Sequence, residues 1–123
     1  MKRKSVLIAD EQALIGATLK AILEQDYRFV GRACDGCKTV ELALPLKPDV
    51  IMASIDSSLL NAIEVTVQIK RVLPNTHIVL FGEMVSPYRI ANALRAGISA
   101  YVSKSKRLPI LKESLEQETS LWS

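Results

Sequence analysis

The sequence lacks any long hydrophobic segment. Its apolar runs are short, such as Val6-Leu7-Ile8-Ala9, and none approaches the roughly 20 residues that a membrane-spanning helix needs. The basic start Met1-Lys2-Arg3-Lys4 is followed by an apolar stretch that stops at Asp10, which is too short for the core of a signal peptide. These absences predict a cytoplasmic protein without membrane contacts.

Charge of one sign and aromatic residues are also scarce. The chain has 16 basic and 13 acidic residues, and the basic ones are scattered apart from residues 2–4 and 104–107. Aromatic residues make up 5% of the chain and do not alternate with basic ones, as they do in proteins that bind single-stranded nucleic acid. We interpret the surface as a solvated mixture of charges rather than a nucleic-acid interface.

Only two cysteines are present, Cys34 and Cys37, in a C-x-x-C spacing. Without an export signal a structural disulfide is not expected. A zinc site would need two more ligands, and the single histidine, His77, is far away in the sequence. A redox role would require both sulfurs at a helix N-terminus, and Asp35-Gly36 suits a turn into a helix. The sequence favours ordinary packing and a loop thiol over either function.

Proline and glycine are few, with five of each, so no long disordered stretch is expected among the 123 residues. The length fits a single domain over residues 1–123, with a core at about residues 4–118. Short apolar runs alternate with helical patterns throughout. The predicted strands are Val6–Ala9, Phe29–Ala33, Val50–Ala53, Ile78–Phe81 and Ala100–Val102, of which the second and fifth suit sheet edges.

Helical spacing of apolar residues fills the gaps between these runs. The first helix covers about Gln12–Gln25, and the second ends near Pro45. The apolar stripes predicted for the five helices are, in order, Ile15, Leu19, Ile22 and Leu23; Val40, Ala43 and Leu44; Ala62, Val65, Ile69 and Val72; Ile90, Ala93 and Leu94, between Ser86-Pro87 and Gly97; and Leu108, Leu111 and Leu115.

The order of elements is therefore βα repeated five times. Such alternation implies parallel strands joined by right-handed crossovers, with helices on both faces of the sheet. The chain is too short for an eight-stranded barrel of about 250 residues. We therefore expect an α/β, flavodoxin-like, doubly wound (βα)5 fold with a five-stranded parallel sheet in the strand order 2-1-3-4-5.

Ligands of open α/β sheets bind beyond the carboxyl ends of the strands. The first strand ends in Asp10-Glu11, the third in Ser54, the fourth in Gly82 and the fifth near Lys104. Two adjacent carboxylates are hard oxygen ligands of the kind Mg²⁺ prefers. The alternative is that Glu11 stabilises the start of the first helix through the helix dipole.

Three segments resemble the receiver domain of bacterial response regulators. Ser5-Val-Leu-Ile-Ala-Asp10-Glu11 is similar to the start of that domain, and Lys47-Pro48-Asp49-Val50-Ile51 resembles the approach to its phosphorylation site. The stretch from Ala93-Leu94-Arg95-Ala96-Gly97 to Ser103-Lys104 resembles its end. The resemblance covers residues 4 to about 117 and is greatest to receivers attached to LuxR-type helix-turn-helix transcription regulators.

The resemblance implies roles for single residues. Asp10 and Glu11 match the acidic pair that holds Mg²⁺, Lys104 matches the lysine that contacts the phosphoryl group, and Tyr101 matches the aromatic switch position. Three departures accompany these matches. Ser54 stands where the family has its phospho-acceptor Asp, Gly82 stands where it has Thr or Ser, and Ser105 stands where a proline usually follows the lysine.

These departures predict a pseudo-receiver that does not use aspartyl phosphate. A serine hydroxyl is not ionised near neutral pH and no base is evident to activate it. The loss of one anionic ligand should leave Mg²⁺ binding weak or absent. A still-phosphorylated receiver with a displaced acceptor at Asp56 is an alternative, motivated by the nearness of Asp56 to the strand end.

We therefore expect a binding module in signal transduction and transcription regulation, and not an enzyme. A flavin site would need a loop that cradles phosphate after the first strand, where this chain has Asp10-Glu11, and no hydrolase nucleophile with an oriented base is visible. A small-molecule or metal sensor is a further alternative. The family resemblance implies a homodimer or partner contact through helices four and five or one and five, and DNA contact only through a C-terminal domain outside this sequence.

Overall fold

The computed structural model describes residues 3–10, 17, 20–21, 23–54, 61–82 and 87–103. Five parallel strands form one sheet in the order β2-β1-β3-β4-β5, as predicted. The strands are β1 (Lys4–Ala9), β2 (Tyr27–Ala33), β3 (Val50–Ser54), β4 (His77–Gly82) and β5 (Ala100–Ser103). The strand order reverses between β1 and β3, which makes their carboxyl ends the expected place for a site.

Three helices have defined bounds: α1 (Gly36–Leu46), α2 (Ala62–Val72) and α3 (Pro87–Ala96). They correspond to the second, third and fourth helices predicted from the sequence. Ala17, Lys20, Ala21 and Leu23 are helical, in agreement with the first predicted helix. Ile15, Leu19, Ile22 and the whole of the last predicted helix lie outside the described residues.

Each strand contributes side chains to two cores, because successive residues of a strand point to opposite faces of the sheet. One core lies under α1, α2 and α3, and the other lies on the face where Leu23 and Tyr27 pack. The first core contains Leu7, Ala9, Ile51, Ala53, Ile78 and Leu80 from the strands. The second contains Val6, Ile8, Val50, Met52, Val79 and Phe81. Burial on both faces explains why β1, β3 and β4 read as continuous apolar runs.

Strand β2 is irregular, as expected of an edge strand. Val6 is paired with Phe29 but Leu7 is paired with Gly31, so Val30 is an extra residue that forms a bulge. A Cβ at Gly31 would lie 3.3 Å from Leu7 Cδ1, which explains the absence of a side chain there. The bulge keeps the end of β2 in register with the end of β1.

The structure corrects several predicted boundaries. β1 begins at Lys4 and β2 at Tyr27, earlier than the apolar runs indicated. The prediction that the second helix ends near Pro45 is confirmed, since α1 ends at Leu46, with Pro45 in its last turn and the Lys47 N–H donating to the Ala43 carbonyl at 2.8 Å. A proline in the last turn therefore removes little of the hydrogen bonding of this helix.

Three residues assigned to apolar stripes are exposed. Leu44, Val72 and Leu94 are respectively 44%, 56% and 58% exposed. Fewer helix residues reach the core than the predicted stripes indicated. They are mainly Ala43, Ile69 and Ala93, all of which are fully buried. Small residues at two of these positions allow close approach of helix to sheet, so their larger neighbours are left at the surface.

The amino edge of the sheet is held by a reciprocal pair of residues. The Ser5 N–H and hydroxyl donate to Asp49 Oδ2 at 2.8 and 3.1 Å, and the Asp49 N–H donates to Ser5 Oγ at 2.9 Å. This contact explains why a polar residue belongs to β1. It also places Asp49 at the edge opposite Ser54, as the sequence predicted.

Candidate functional site at the carboxyl edge of the sheet

Asp10 and Ser54 end two neighbouring strands. Ala9 is paired with Ala53 in the parallel ladder, so the next residues, Asp10 and Ser54, lie side by side at the carboxyl edge. Each is only 1% exposed. A buried acid next to a buried hydroxyl at the switch point of the sheet is unusual for residues with no function beyond packing.

The backbone of Asp10 is fixed by the end of β2. The Asp10 N–H donates to the Ala33 carbonyl at 2.9 Å, which extends the β1–β2 ladder by one bond. Asp10 is therefore held in place by the sheet and not by a loop.

Arg32 is a residue that the sequence reasoning missed. Its Nη2 donates to the backbone carbonyl of Asp10 at 3.1 Å, so a guanidinium group lies next to the buried acid. Arg32 lies within β2, where no sequence pattern marks it as part of a site at the strand ends.

Gly82 and Tyr101 join the last two strands. The Tyr101 hydroxyl donates to the Gly82 carbonyl at 2.6 Å, and Tyr101 is half-buried. Gly82 has φ = +147°, a backbone conformation that is essentially restricted to glycine. The two positions named from the sequence are therefore in direct contact, and residue 82 takes part through its backbone carbonyl because glycine has no side-chain hydroxyl.

Several site residues named from the sequence lie outside the described residues. These are Glu11, Asp56 and Lys104. The described part of the site consists of Asp10, Ser54, Gly82, Tyr101 and Arg32, and the roles of the other three residues stay predictions.

The described residues are a poor match for a divalent cation. Asp10 supplies one carboxylate, and Ser54 supplies a neutral hydroxyl where a second anionic ligand would be needed. The Arg32 guanidinium donates to the backbone carbonyl oxygen of Asp10, so that oxygen is already engaged. Within the described part of the chain no cluster of three or more His, Cys, Asp or Glu residues is arranged to hold a metal.

The two cysteines lie at the same edge. Cys34 follows the last residue of β2, and Cys37 is in the first turn of α1. Asp35 caps this helix, since its side chain accepts from the Lys38 N–H at 2.8 Å. The predicted turn into a helix is thus confirmed. The expectation of ordinary packing is wrong for these side chains, because both thiols are exposed.

Helix α3 presents exposed apolar side chains. Tyr88 is 71% exposed and Leu94 is also exposed. Asn92 and Arg95 lie between and after them, and the Arg95 side chain donates to Asn92 Oδ1 at 3.0 Å. Exposed aromatic and aliphatic side chains next to an arginine are typical of protein interfaces.

A separate cavity of about 380 Å³ lies between β2 and the helical residues Ala17 and Lys20. Ile8 and Phe29 contribute apolar surface to it, and Lys20 and Arg32 contribute positive charge.

Among the described residues, no helix is long and apolar enough to cross a bilayer.

Comparison with known proteins supports the resemblance to receiver domains. Residues 6–116 match the family described as the response regulator receiver domain. The chain is 30% identical to the chemotaxis protein CheY of Thermotoga maritima over 82% of this chain and 85% of that protein. It is 29% identical to the transcriptional regulatory protein LiaR of Bacillus subtilis over 89% of this chain and 53% of that protein. It thus spans about half the length of LiaR but most of CheY.

Solved structures agree on the fold. The response regulator domain of Thermotoga maritima CheB superposes with a TM-score of 0.84 and 29% identity, covering 97% of this chain and 96% of that one. A LuxR family two-component response regulator from Aurantimonas sp. SI85-9A1 gives a TM-score of 0.85 at 21% identity, covering 94% of this chain and 84% of that one.

Proposed function

Because this chain belongs to the response regulator receiver domain family, we propose that it is a receiver of two-component signalling that acts without aspartyl phosphate. The observation that carries the proposal is Ser54. It is the last residue of β3, is buried, and lies beside Asp10, where the family resemblance implies the phospho-acceptor. A neutral hydroxyl there is not a nucleophile for phosphoryl transfer without a base to activate it.

The contact between Gly82 and Tyr101 supports the same proposal. In the family the residue at the end of strand four carries a hydroxyl that binds the phosphoryl group. Here that position has no side chain, and its carbonyl holds the Tyr101 hydroxyl. The hydrogen bond that holds Tyr101 therefore involves no side chain at residue 82 that could bind a phosphoryl group.

Magnesium binding is proposed to be weak. Asp10 and Glu11 would hold the ion, and it would supply positive charge beside the acidic pair. In the described structure the backbone carbonyl of Asp10 accepts from Arg32. With Ser54 neutral, one anionic ligand fewer is available to compete with water for the metal.

The signal would pass through protein contacts. We place the contact surface on α3 and the neighbouring β5, where Tyr88 and Leu94 are exposed, with the last predicted helix as a further part. A contact through the first and last predicted helices is the alternative. The likeness to LiaR supports a role in transcription regulation, in which DNA would be bound by a C-terminal domain outside this sequence.

The test is the intact mass of the protein after incubation with acetyl phosphate and Mg²⁺. We expect no phosphoryl group on the parent chain and one on the Ser54→Asp variant, which restores a carboxylate nucleophile at the end of β3. Ser54→Asn, similar in size but without a charge, is the matched control and should stay unmodified.

Phosphorylation of the parent would overturn the proposal. If the adduct were then lost in Asp56→Ala but kept in Ser54→Ala, the displaced acceptor would be the correct reading. An adduct on the parent that is retained in both variants would make Asp10 the next candidate for the phosphorylated residue.

A ligand-sensing role is a second candidate, favoured by the cavity that Lys20 and Arg32 border. Its apolar surface and two cations suit a small carboxylate with an apolar body. Screening aromatic carboxylates by thermal shift tests this, with Arg32→Gln expected to abolish the shift and Arg28→Gln, on the same strand, to keep it.

A further inference from the structure

The C-x-x-C pair is placed where a dithiol can react. Cys34 and Cys37 flank the N-cap residue of α1, and both thiols are free and exposed. Two cysteines that span the start of a helix are the arrangement used by thiol–disulfide redox sites. Exposure gives oxidants access to both sulfurs, which a packing role for these residues would not require.

The start of α1 is a position where thiol chemistry is common. Reactive cysteines occur in C-x-x-C motifs and at helix N-termini. The charge of Lys38, which follows Cys37, is directed to Glu41, with Nζ 3.4 Å from Oε2. The carboxylate between the two cysteines, Asp35, is engaged by the Lys38 N–H. A metal site is less well supported, since the described residues offer no third ligand near the two sulfurs.

We propose that Cys34 and Cys37 form a reversible intramolecular disulfide, which makes the β2–α1 junction a redox-sensitive site. The oxidant would be a low-molecular-weight disulfide of the glutathione type. One thiolate attacks the oxidant, breaks its S–S bond and releases one thiol. The second cysteine then attacks the mixed disulfide and releases the other thiol. The protein loses two hydrogens and gains one S–S bond, while the oxidant is reduced to two thiols.

The position of the pair connects it to the acidic pocket. Ala33, immediately before Cys34, accepts the Asp10 N–H through its carbonyl, and Arg32 donates to the Asp10 carbonyl. A disulfide would constrain the chain one residue from the first of these bonds. Oxidation should therefore change the surroundings of Asp10. This inference does not depend on whether the domain is phosphorylated.

The experiment is intact-mass measurement after equilibration of the 123-residue chain with reduced and oxidised glutathione. We expect a monomer lighter by about 2 Da, which reverts with excess reduced glutathione. Because the chain has only two cysteines, this loss identifies the bond without further mapping. Cys34→Ser and Cys37→Ser should each give only a glutathione adduct on the remaining thiol.

Amide NMR spectra of the two forms test the connection to the site. Oxidation should shift the amide signals of Asp10 and Ala33 and leave those of Asp49 and His77, at the opposite edge, unchanged. Stable addition of two glutathiones, a disulfide between two chains, or no oxidation at all would overturn the proposal. So would zinc binding by the reduced chain that blocks oxidation at equimolar metal.

Discussion

At the scale of single residues, the pKa of His77 depends on the groups around it. It begins β4 at the amino edge of the sheet, and its Nδ1 lies 3.1 Å from Ser99 Oγ. Burial lowers the pKa of His77, and the positive charges of Lys70 and Lys4 lower it further, whereas Asp49 acts in the opposite direction. The folded protein therefore takes up a proton on this ring at lower pH than the unfolded chain does.

This difference predicts that stability falls on acidification. The unfolded chain protonates His77 at about pH 6.5, whereas the folded chain does so only at lower pH. The free energy of unfolding should therefore decrease as the pH drops below the unfolded-state pKa. The decrease should level off below the folded-state pKa. Urea unfolding between about pH 7.5 and 5 measures it.

The matched variant is His77→Gln, which keeps a hydrogen-bonding side chain and removes the only imidazole in the chain. Its stability should depend less on pH than that of the parent in this range. Parallel pH profiles for the two proteins would show that His77 does not contribute.

At the scale of elements, strands β4 and β5 are connected by a side-chain hydrogen bond in addition to their backbone ladder. The Tyr101 hydroxyl on β5 binds the carbonyl of Gly82 at the end of β4, and Gly82 occupies a backbone region closed to other residues. The strands are thus connected at the point where the family places its phosphate-dependent switch.

We expect Gly82→Thr to destabilise the fold by about 1–3 kcal/mol, because a β-branched residue is strained at this φ. Tyr101→Phe should cost about 0.5–1.5 kcal/mol, since it removes one hydrogen bond and leaves the ring. Urea midpoints with unchanged slopes measure both effects. A Gly82→Thr variant as stable as the parent would mean that this backbone conformation carries no strain.

The elements differ in how far the sequence predicts them. β1, β3 and β4 are continuous apolar runs because both faces of the sheet are covered, so pattern alone locates them. The early start of β1 depends on Ser5 binding Asp49, a contact across 44 residues that no local pattern shows. Arg32 was missed for a similar reason, since its partner is a backbone carbonyl. Asp10, Ser54 and Gly82 could be predicted because strand ends can be located from the sequence, whereas Tyr101, which lies inside β5, was indicated only by the family resemblance.

At the scale of the whole molecule, the exposed apolar side chains of α3 form the surface on which we have proposed a protein contact. Tyr88 is the most exposed of the large apolar residues in the described part of the chain. Aromatic residues of this kind often provide most of the binding energy of an interface.

If two copies associate through this surface, Tyr88→Ala should weaken the dimer about tenfold or more. Sedimentation equilibrium of the parent and the variant measures this. Val67→Ala, an exposed apolar residue on α2, is the control and should leave association unchanged. A phosphodonor should not alter the equilibrium of the parent chain. A parent chain that stays monomeric at high concentration would assign the surface to a different protein.

If this domain signals without aspartyl phosphate, as we propose, the conformation of Gly82 bears on how readily phosphate signalling could be restored. A mutation at Ser54 alone can return a carboxylate to β3, but the new phosphoryl group would find no hydroxyl at the end of β4. A threonine there must first overcome the backbone geometry that now holds Tyr101. Each reversal gives little benefit without the other, and one of them carries an immediate penalty in stability. On the proposed function, single substitutions at either position would therefore not suffice to establish phosphate signalling in this chain.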